Sequence, residues 1–493
     1  MCSGCGHGSS DRSPGVTRHG AGPGSTSGSL RRLDQEFTTQ PLIVPRPEHC
    51  VSRANISQNA LKVLYRLHQA GHQAYLVGGG VRDLLLGHEP KDFDVATDAT
   101  PEQVRTVFRN CRLIGRRFRL AHVHFGPEII EVATFRGTGQ GDRQADTGEA
   151  DMPAGARGAG SDRLVENGMI LRDNVYGTIA EDAMRRDFTV NALYYNIDDF
   201  SLVDYAGGLD DIRAGRLRLI GDDPEARYRE DPVRMLRAVR FACKLGFNID
   251  PRCEEPLVRL APLLRDIAPA RLFDETLKLF HAGFALPAFE KLRHYGLFAE
   301  LFPETEACLA QEDHAFPITF VARGLGNTDA RLAEQKPVAP AFLFAVLLWE
   351  PVRLRYQALL EEGSAWADAM ALASHEVATR QQRRVSVPKR FGLPMREIWG
   401  LQPRLERRQG KRPLALLGHP RFRAAYDFLL LRAEAGEVDP ELAAWWTRFQ
   451  EVDTAERVRM TGGAAKRKRP RRRRKPQPAA DDGGSAPASS GAG

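Results

Sequence analysis

The stretch LVGGGVRDLLLGHEPKDFDVAT, residues 76–97, decides how this chain is read. Three consecutive glycines follow a short apolar run, an Arg-Asp pair follows them, and two aspartates one residue apart come near the end. Core building needs none of this. Gly78, Gly79 and Gly80 permit close backbone approach and unusual φ/ψ. They fall between a strand predicted at residues 74–77 and a helix predicted at 78–86. The N–H groups at such a helix start can hold phosphate oxygens, and Arg82 adds a cation for the same phosphates. The stretch has neither the Gly-Lys-Ser/Thr of a P-loop nor a Gly-x-Gly-x-x-Gly.

Asp92 and Asp94 read as part of the next strand, predicted at 93–96. On a strand their spacing points both carboxylates to one face. Two adjacent carboxylates repel unless a cation lies between them, and hard oxygen donors suit Mg²⁺, which takes one or two carboxylates together with substrate phosphates. Glu131, placed among apolar residues of a predicted strand at 128–135, is the candidate third acid. A phosphate cradle followed by a metal-binding pair of aspartates points to nucleoside triphosphate chemistry. Two solvated strand acids have the same local pattern, so the inference rests on the combination.

Outward from this stretch the periodicity alternates between strand and helix. Ser57 reads as an N-cap, with Ile56 and Leu61 as a hydrophobic staple, and Gly71 ends that helix. Thr100-Pro101-Glu102-Gln103 is a capping box predicting a helix to about residue 109. Strands at 121–125 and 128–135 form a hairpin turned at Gly126-Pro127. Residues 137–168 lack periodicity and read as a long insertion. A helix at 180–186 and a strand at 192–197 close the mixed unit. Beyond residue 222 the pattern is helical to about 457, broken at Pro251, Pro256, Pro262 and Pro269.

The 493 residues exceed what one core usually fills. The expected class is α+β: a small mixed head at 41–221 with an insertion at 138–165, a helical neck at 222–285 and a helical body at 286–457. Disordered termini at 1–40 and 458–493 flank these. Seven cysteines, Cys2, Cys5, Cys50, Cys111, Cys243, Cys253 and Cys308, are scattered and odd in number, which argues against a disulfide framework. The Cys2-x-x-Cys5 pair lacks the second pair that a zinc site needs. No apolar run approaches the roughly 20 residues that span a bilayer, and the Gly/Ser-rich leader has no apolar signal region. A cytoplasmic location is expected.

The net charge of +7 is concentrated. Lys466, Arg467, Lys468, Arg469, Arg471, Arg472, Arg473, Arg474 and Lys475 place nine positive charges in ten residues, and the rest of the chain is close to neutral. Such a block repels itself and stays unfolded, and each cation that neutralises a phosphate releases a counterion. A second basic cluster, Arg404, Arg407, Arg408, Lys411 and Arg412, falls in the helical body. Both are candidate RNA-binding elements.

With these residues in view, the quoted stretch resembles the signature of the class II nucleotidyltransferase superfamily, which holds bacterial poly(A) polymerases and the CCA-adding enzymes of tRNA. RRDFTVNALYYN (185–196) and RYREDPVRMLRAVRFACKLGF (227–247) extend the resemblance. RNCRLIGRRFRLAHVHFGPEIIEVATFRG (109–137), PARLFDETLKLF and the basic tail resemble the poly(A) polymerase branch in particular. The resemblance implies that Asp92 and Asp94 bind two Mg²⁺ ions, with Glu131 as the third strand acid and Asp187 as a catalytic aspartate. It implies a nucleotide pocket of Arg82, Asp83, Arg185, Arg186, Asn191 and the glycines, and base reading by Glu230, Asp231, Arg234 and Arg237. The implied reaction transfers AMP from ATP to RNA 3′ ends without a template, releasing pyrophosphate. It belongs to mRNA polyadenylation and RNA turnover. An Asp that accepts from an exocyclic amine and an Arg that donates to a ring nitrogen are partly satisfied by CTP as well as ATP. A CCA-adding enzyme and a catalytically inactive RNA-binding protein are the alternatives.

Overall fold

The computed structural model describes residues 40–462, apart from 116–118, 138–162, 167–168, 174, 314–315 and 318. The glycine-rich leader, most of the insertion and the basic tail lie outside the described residues.

The head is built on one sheet. Its strands are β1 (Leu42–Val44), β2 (Ala74–Val77), β3 (Asp94–Thr97), β4 (Cys111–Ile114), β5 (Leu120–Phe125) and β6 (Glu128–Thr134). A separate hairpin, β7 (Arg163–Glu166) and β8 (Met169–Asp173), precedes β9 (Leu193–Asn196) and β10 (Leu202–Asp204). The order across the eight-stranded sheet is β1-β10-β9-β2-β3-β6-β5-β4. The β3–β6 pair is parallel and its neighbours are antiparallel. Alternation sends Leu76, Val95, Val132 and Tyr195 to one face, buried with α1 (Gln58–Gln69) and α3 (Pro101–Val107). Val77, Ala96, Tyr194 and Val203 pack together on the opposite face with Ala183. Asp94 shares the strand face of Ala96, so it is presented on the side away from α1 and α3.

Local signals place these elements. Ser57 caps α1, with its hydroxyl accepting from the backbone of Asn59 and Ala60, and Thr100 and Gln103 form a reciprocal capping box on α3. Helix α2 (Gly79–Leu85) follows β2 through Gly78, whose φ of +68° suits glycine. Helices α4 (Ile179–Arg185) and α5 (Gly208–Arg213) complete the head. Then come α6 (Pro224–Glu230), α7 (Val233–Leu245), the short α8 (Pro251–Glu254) and α9 (Pro256–Leu260), and α10 (Pro269–Phe280). Pro251, Pro256 and Pro269 each open a helix, where the missing N–H costs nothing. Helices continue to Thr454–Met460.

One apolar core runs from Phe188 through α7 and α10 to Leu431, and a second gathers Leu401, Leu405, Phe422, Trp446 and Phe449. Among the described residues no helix is long and apolar enough to cross a membrane.

Three expectations are corrected. The strand begins at Asp94, because pairing with β2 ends at Val77 opposite Asp94. Asp92 therefore lies in the exposed approach to the strand and does not share a strand face with Asp94. The helix at 101 ends at Val107, and β4 follows it on the sheet edge. Order resumes within the expected insertion at Arg163, where β7 pairs with β8.

Candidate active site

Parallel pairing places Asp94 of β3 in register with Glu131 of β6. Burial and the Glu131 charge, with a smaller contribution from Asp92, push the Asp94 carboxyl up to about 6, against the opposing pull of Arg186. Across β5, His122 lies opposite Glu131 with Nε2 3.4 Å from its carboxylate. Behind Asp94, the glycine turn brings the backbone close to the arginines. A Cβ on Gly78 would sit 3.4 Å from Arg186 Nη1.

These residues open onto a cavity of about 560 Å³, between the sheet face and the first helices after the head. Its lining includes Gly78, Gly79, Arg82, Asp94, Glu131, Arg185, Arg186, Asp187, Asn191, Glu230, Asp231, Arg234 and Arg237. Gly80, Asp83 and Asp92 are not in the lining. Gly80 faces Phe93 and the Asp92 carbonyl instead, and so allows α2 to start against the approach to β3. The aspartate-and-glycine stretch and the later arginine motifs therefore meet at one site.

The polar groups hold one another in fixed poses. Arg82 is only 2% exposed. It donates from Nε (2.9 Å) and Nη2 (2.6 Å) to Asp83 Oδ1, and from Nη1 to the Asn191 side-chain oxygen. Lys244 of α7 donates to the other Asp83 oxygen at 2.9 Å. Burial works against the Asp83 carboxylate, but Arg82 and Lys244 outweigh it and hold the group below its usual range. The expected phosphate cation thus ties α2 to Asn191, while its partner Asp83 ties α2 to Lys244 of α7, and two guanidinium N–H groups of Arg82 lie beyond these bonds.

Arg186 lies between Asp182 and Tyr194. It donates to Asp182 Oδ2 from Nε (3.1 Å) and Nη2 (3.0 Å) and to the Tyr194 hydroxyl at 2.9 Å. That hydroxyl donates to Asp182 Oδ2 at 2.7 Å. The Asp182–Arg186 contact is an i,i+4 ion pair within the site. Arg185 donates to the Gly137 carbonyl.

Asp187 is more fully occupied. Arg237 Nε donates to Oδ2 at 2.6 Å, while Asn191 (3.1 Å) and the Phe188 N–H (2.8 Å) donate to Oδ1. Burial alone would raise this carboxyl, but Arg237 and the hydrogen bonds hold it down at about 2. Asp187 lies in the cavity wall as an anchor for Arg237. It is not an open carboxylate beside Asp94.

The helices after the head supply the remaining wall. Glu230 accepts from both Arg227 and Arg234, and Arg234 also donates to the Arg227 carbonyl at 2.7 Å. Asp231 receives two parallel bonds from Arg271 of α10, at 2.8 and 2.7 Å. Arg240 lies 4.5 Å above the Phe241 ring, and its Nε finds no hydrogen-bond partner among the described residues. Burial and neighbouring Arg237 pull the Arg240 guanidinium down to about 10. Sequence reasoning missed the site roles of Arg136, Asp182, Arg240, Phe241, Arg271 and Glu275. Arg271 follows Pro269 two residues into a helix, a position that carries no signal of its pairing with Asp231 until the fold is known.

Among the described residues, no three acidic, histidine or cysteine side chains already form a metal cluster. The donor set nevertheless fits a hard dication. Asp94 is a half-buried carboxylate raised by like charge, which a divalent cation would relieve, and substrate phosphates supply the further oxygens that Mg²⁺ requires. Asp94 would hold it, with Asp92, close enough for its charge to act on Asp94, as the second candidate donor.

The second basic cluster lies at the end of the helix Lys389–Leu405. Arg404, Arg407, Lys411 and Arg412 are exposed, Arg407 stacks 4.2 Å over Trp366, and Arg408 lies 3.5 Å from Glu441. Lys466 to Lys475 fall outside the described residues.

Comparison with known proteins agrees with this geometry. Residues 74–218 match the family model described as the poly A polymerase head domain. Residues 246–309 match "Probable RNA and SrmB- binding site of polymerase A", and residues 362–478 match "Polymerase A arginine-rich C-terminus". Poly(A) polymerase I of Salmonella typhi is 54% identical over 412 residues, covering 83% of this chain and 85% of that protein. Poly(A) polymerase I of Haemophilus influenzae is 46% identical over 437 residues, covering 88% and 92%. Among solved structures, the Bacillus stearothermophilus CCA-adding enzyme in complex with CTP aligns with a TM-score of 0.52 at 25% identity, covering 83% of this chain and 88% of that one. With a head sheet that presents Asp94 beside Glu131 and relatives this similar along most of its length, the chain belongs to the poly(A) polymerase family of nucleotidyltransferases.

Proposed function

We propose that this enzyme transfers AMP from ATP to the 3′ ends of RNA without a template, releasing pyrophosphate. The observation that carries the reading is the single cavity in which Asp94 and Glu131 face an array of arginines and the Asp231–Arg234 stretch. Acids, phosphate-binding cations and base-reading groups then serve one triphosphate.

Two Mg²⁺ ions held at Asp92 and Asp94, with Glu131 as the neighbouring acid, would lower the pKa of the primer hydroxyl and neutralise charge on the leaving pyrophosphate. Everything else falls to the protein. Arg185, Arg186 and Arg237 set positive charge along the phosphates, and Gly78 and Gly79 let the nucleotide approach the backbone. Asp187 and Asp182 keep Arg237 and Arg186 from moving, so charge is prearranged where it develops. The chemistry is in-line displacement, in which positioning and electrostatics supply most of the acceleration. Asp231 accepts from the adenine amine and Arg234 donates to a ring nitrogen. RNA reaches the cavity from the Arg404–Arg412 side and is held by the basic tail. A cytoplasmic location, where ATP and RNA 3′ ends are both at hand, goes with this reading.

Incubation of the full-length protein with a generic RNA and one labelled nucleotide tests this. ATP alone should give long, heterogeneous products on an RNA with no CCA-accepting end. Extension restricted to a tRNA ending before CCA, by a few residues and requiring CTP, would establish the CCA-adding alternative. Failure with every nucleotide would establish an inactive RNA-binding protein.

A further inference from the structure

We propose that the open face of β4, β5 and β6 seats the 3′-terminal nucleotides of the RNA, with Arg112, His122 and His124 as its contacts. The inference rests on the reading of the cavity as the site of AMP transfer.

Strand register carries the argument. Asp94 of β3 is paired with Glu131 of β6, Glu131 with His122 of β5, and His122 with Arg112 of β4. Paired residues share a sheet face, so one row of side chains runs from Asp94 to the edge of the sheet. Arg112 stands three strand spacings, about 14 Å, from Asp94. On the same face Leu120 is paired with Ile114, and His124 with Ile129. Leu120 also lines the cavity, so the face opens directly from it. The reverse side of these strands is occupied, since Ala121, Val123, Ile130 and Val132 are buried with α1 and α3. The front is not: Arg112 is exposed, and Ile114 and Ile129 are 40% and 43% exposed.

In-line displacement fixes the side from which the RNA comes. The attacking and leaving oxygens lie on opposite sides of the phosphorus. The groups that hold the triphosphate, Gly78, Arg186 and Arg237, come from the end of β2, the approach to β9 and α7. In the sheet β2 and β9 lie on one side of β3, and β6, β5 and β4 lie on the other. Pyrophosphate leaves toward the arginines, so the 3′-hydroxyl arrives past Glu131 and over His122. The chemistry of the face suits a single RNA strand. Arg112 faces His122 across its strand pair, not a carboxylate, and is placed to neutralise a phosphate. Imidazole rings stack on unpaired bases, and the two isoleucines add apolar contact. An arginine on an edge strand also discourages edge pairing, but that role does not call for a place in the row that begins at Asp94.

The test is steady-state kinetics of the full-length enzyme with ATP and a short oligoadenylate primer, for wild type, Arg112→Gln, His124→Ala and His124→Phe. Arg112→Gln should raise the KM for primer roughly two- to fivefold. It should also flatten the plot of log KM against log salt by about 0.7. His124→Ala should raise the primer KM by about tenfold, and His124→Phe, which keeps a ring face, should restore it. The KM for ATP and the melting temperature should stay at their wild-type values in all three. Where a variant fails to fold, the wild type decides: a primer ending in 4-thiouridine should crosslink on irradiation to the segment spanning β4 to β6. An unchanged primer KM in both Arg112→Gln and His124→Ala overturns the seat, and so does a crosslink confined to other segments. A KM for ATP that rises in step with that for primer also overturns it, because the face would then act on the nucleotide. A wild-type enzyme that extends no RNA overturns the AMP-transfer reading and the seat with it, whereas normal extension by the variants overturns the seat alone.

Discussion

Asp94 and Glu131 stand side by side across the one parallel strand pair of the head sheet, two carboxylates held in register by backbone hydrogen bonds. The folded protein holds the Asp94 proton up to about pH 6, above the ordinary value of 3.8. Between those values the folded state binds a proton that the unfolded chain has lost, so stability falls as pH rises through the window, and the full penalty is present at neutral pH. Asp94→Asn should therefore abolish nucleotide addition and yet stabilise the metal-free protein at pH 7.5, by on the order of 1–3 kcal/mol. The gain should vanish near pH 4, and added Mg²⁺ should stabilise the wild type more than the variant. Thermal melts with chelator and with Mg²⁺ at both pH values check this. A less stable variant at pH 7.5 would count against a strained carboxylate pair.

Asp187 behaves in the opposite sense. Its carboxyl is held at about 2, so its stabilisation is present above the ordinary carboxylate range and is lost only as pH falls toward 2. Asp187→Ala leaves Arg237 in the wall without its carboxylate and should cost about 3–5 kcal/mol. Asp92→Asn, at an exposed position, should cost almost nothing in stability while stopping activity. Denaturant midpoints of the two variants make the comparison. An Asp187→Ala protein that is inactive but as stable as wild type would mean that Asp187 acts on the substrate itself.

How much of this is legible in the sequence depends on whether the signal is local. Ser57, the Thr100–Gln103 box and Gly78 each act within a few residues, and all are found where the sequence puts them. The strand at 74–77 and the Gly126 turn are equally clear, since a short apolar run and a glycine turn need no distant partner. β4 escapes a sequence reading because edge strands bury little, and two of its four residues are exposed. Asp92 is misplaced by sequence because the start of β3 is set by where β2 stops pairing, a fact of register. The arginines are the hardest to judge. On sequence alone, Arg234 and Arg237 resemble a solvated helix face, yet they are turned inward onto Glu230 and Asp187, which come from other segments of the wall. Arg271 carries no sequence signal of its bond to Asp231, because that bond spans 40 residues.

Arg240 is a cavity cation whose Nε lacks a hydrogen-bond partner among the described residues. Burial and Arg237 outweigh the opposing charges of Glu275 and Asp187 on Arg240, so the guanidinium favours an incoming phosphate. Arg240→Gln should raise the KM for ATP several-fold while changing the ATP-over-CTP ratio little, because the phosphates of the two nucleotides are the same. Kinetics with both nucleotides provide the check. A changed ratio with an unchanged KM would place Arg240 with the base and not with the phosphates.

The basic tail offers the last test. Residues 466–475 carry nine positive charges and are followed by PQPAADDGGSAPASSGAG, a composition that cannot bury a core. A tether of this kind raises the local concentration of RNA near the body. Its contribution is electrostatic, so it should fade steeply with salt and carry little sequence preference. Deleting residues 464–493 should raise the KM for RNA at low salt and leave the KM for ATP nearly unchanged, because the nucleotide cavity is built from the head and α6, α7 and α10. The plot of log Kd for RNA against log salt should flatten by about 0.7 for each single-strand phosphate that the tail no longer neutralises. Replacing Arg404, Arg407 and Arg412 with Gln should also weaken RNA binding, but the tail should keep most of the salt slope in that variant. Equal affinity and equal slope for the full-length and truncated proteins would show that the tail serves solubility alone and that RNA is held by the folded body.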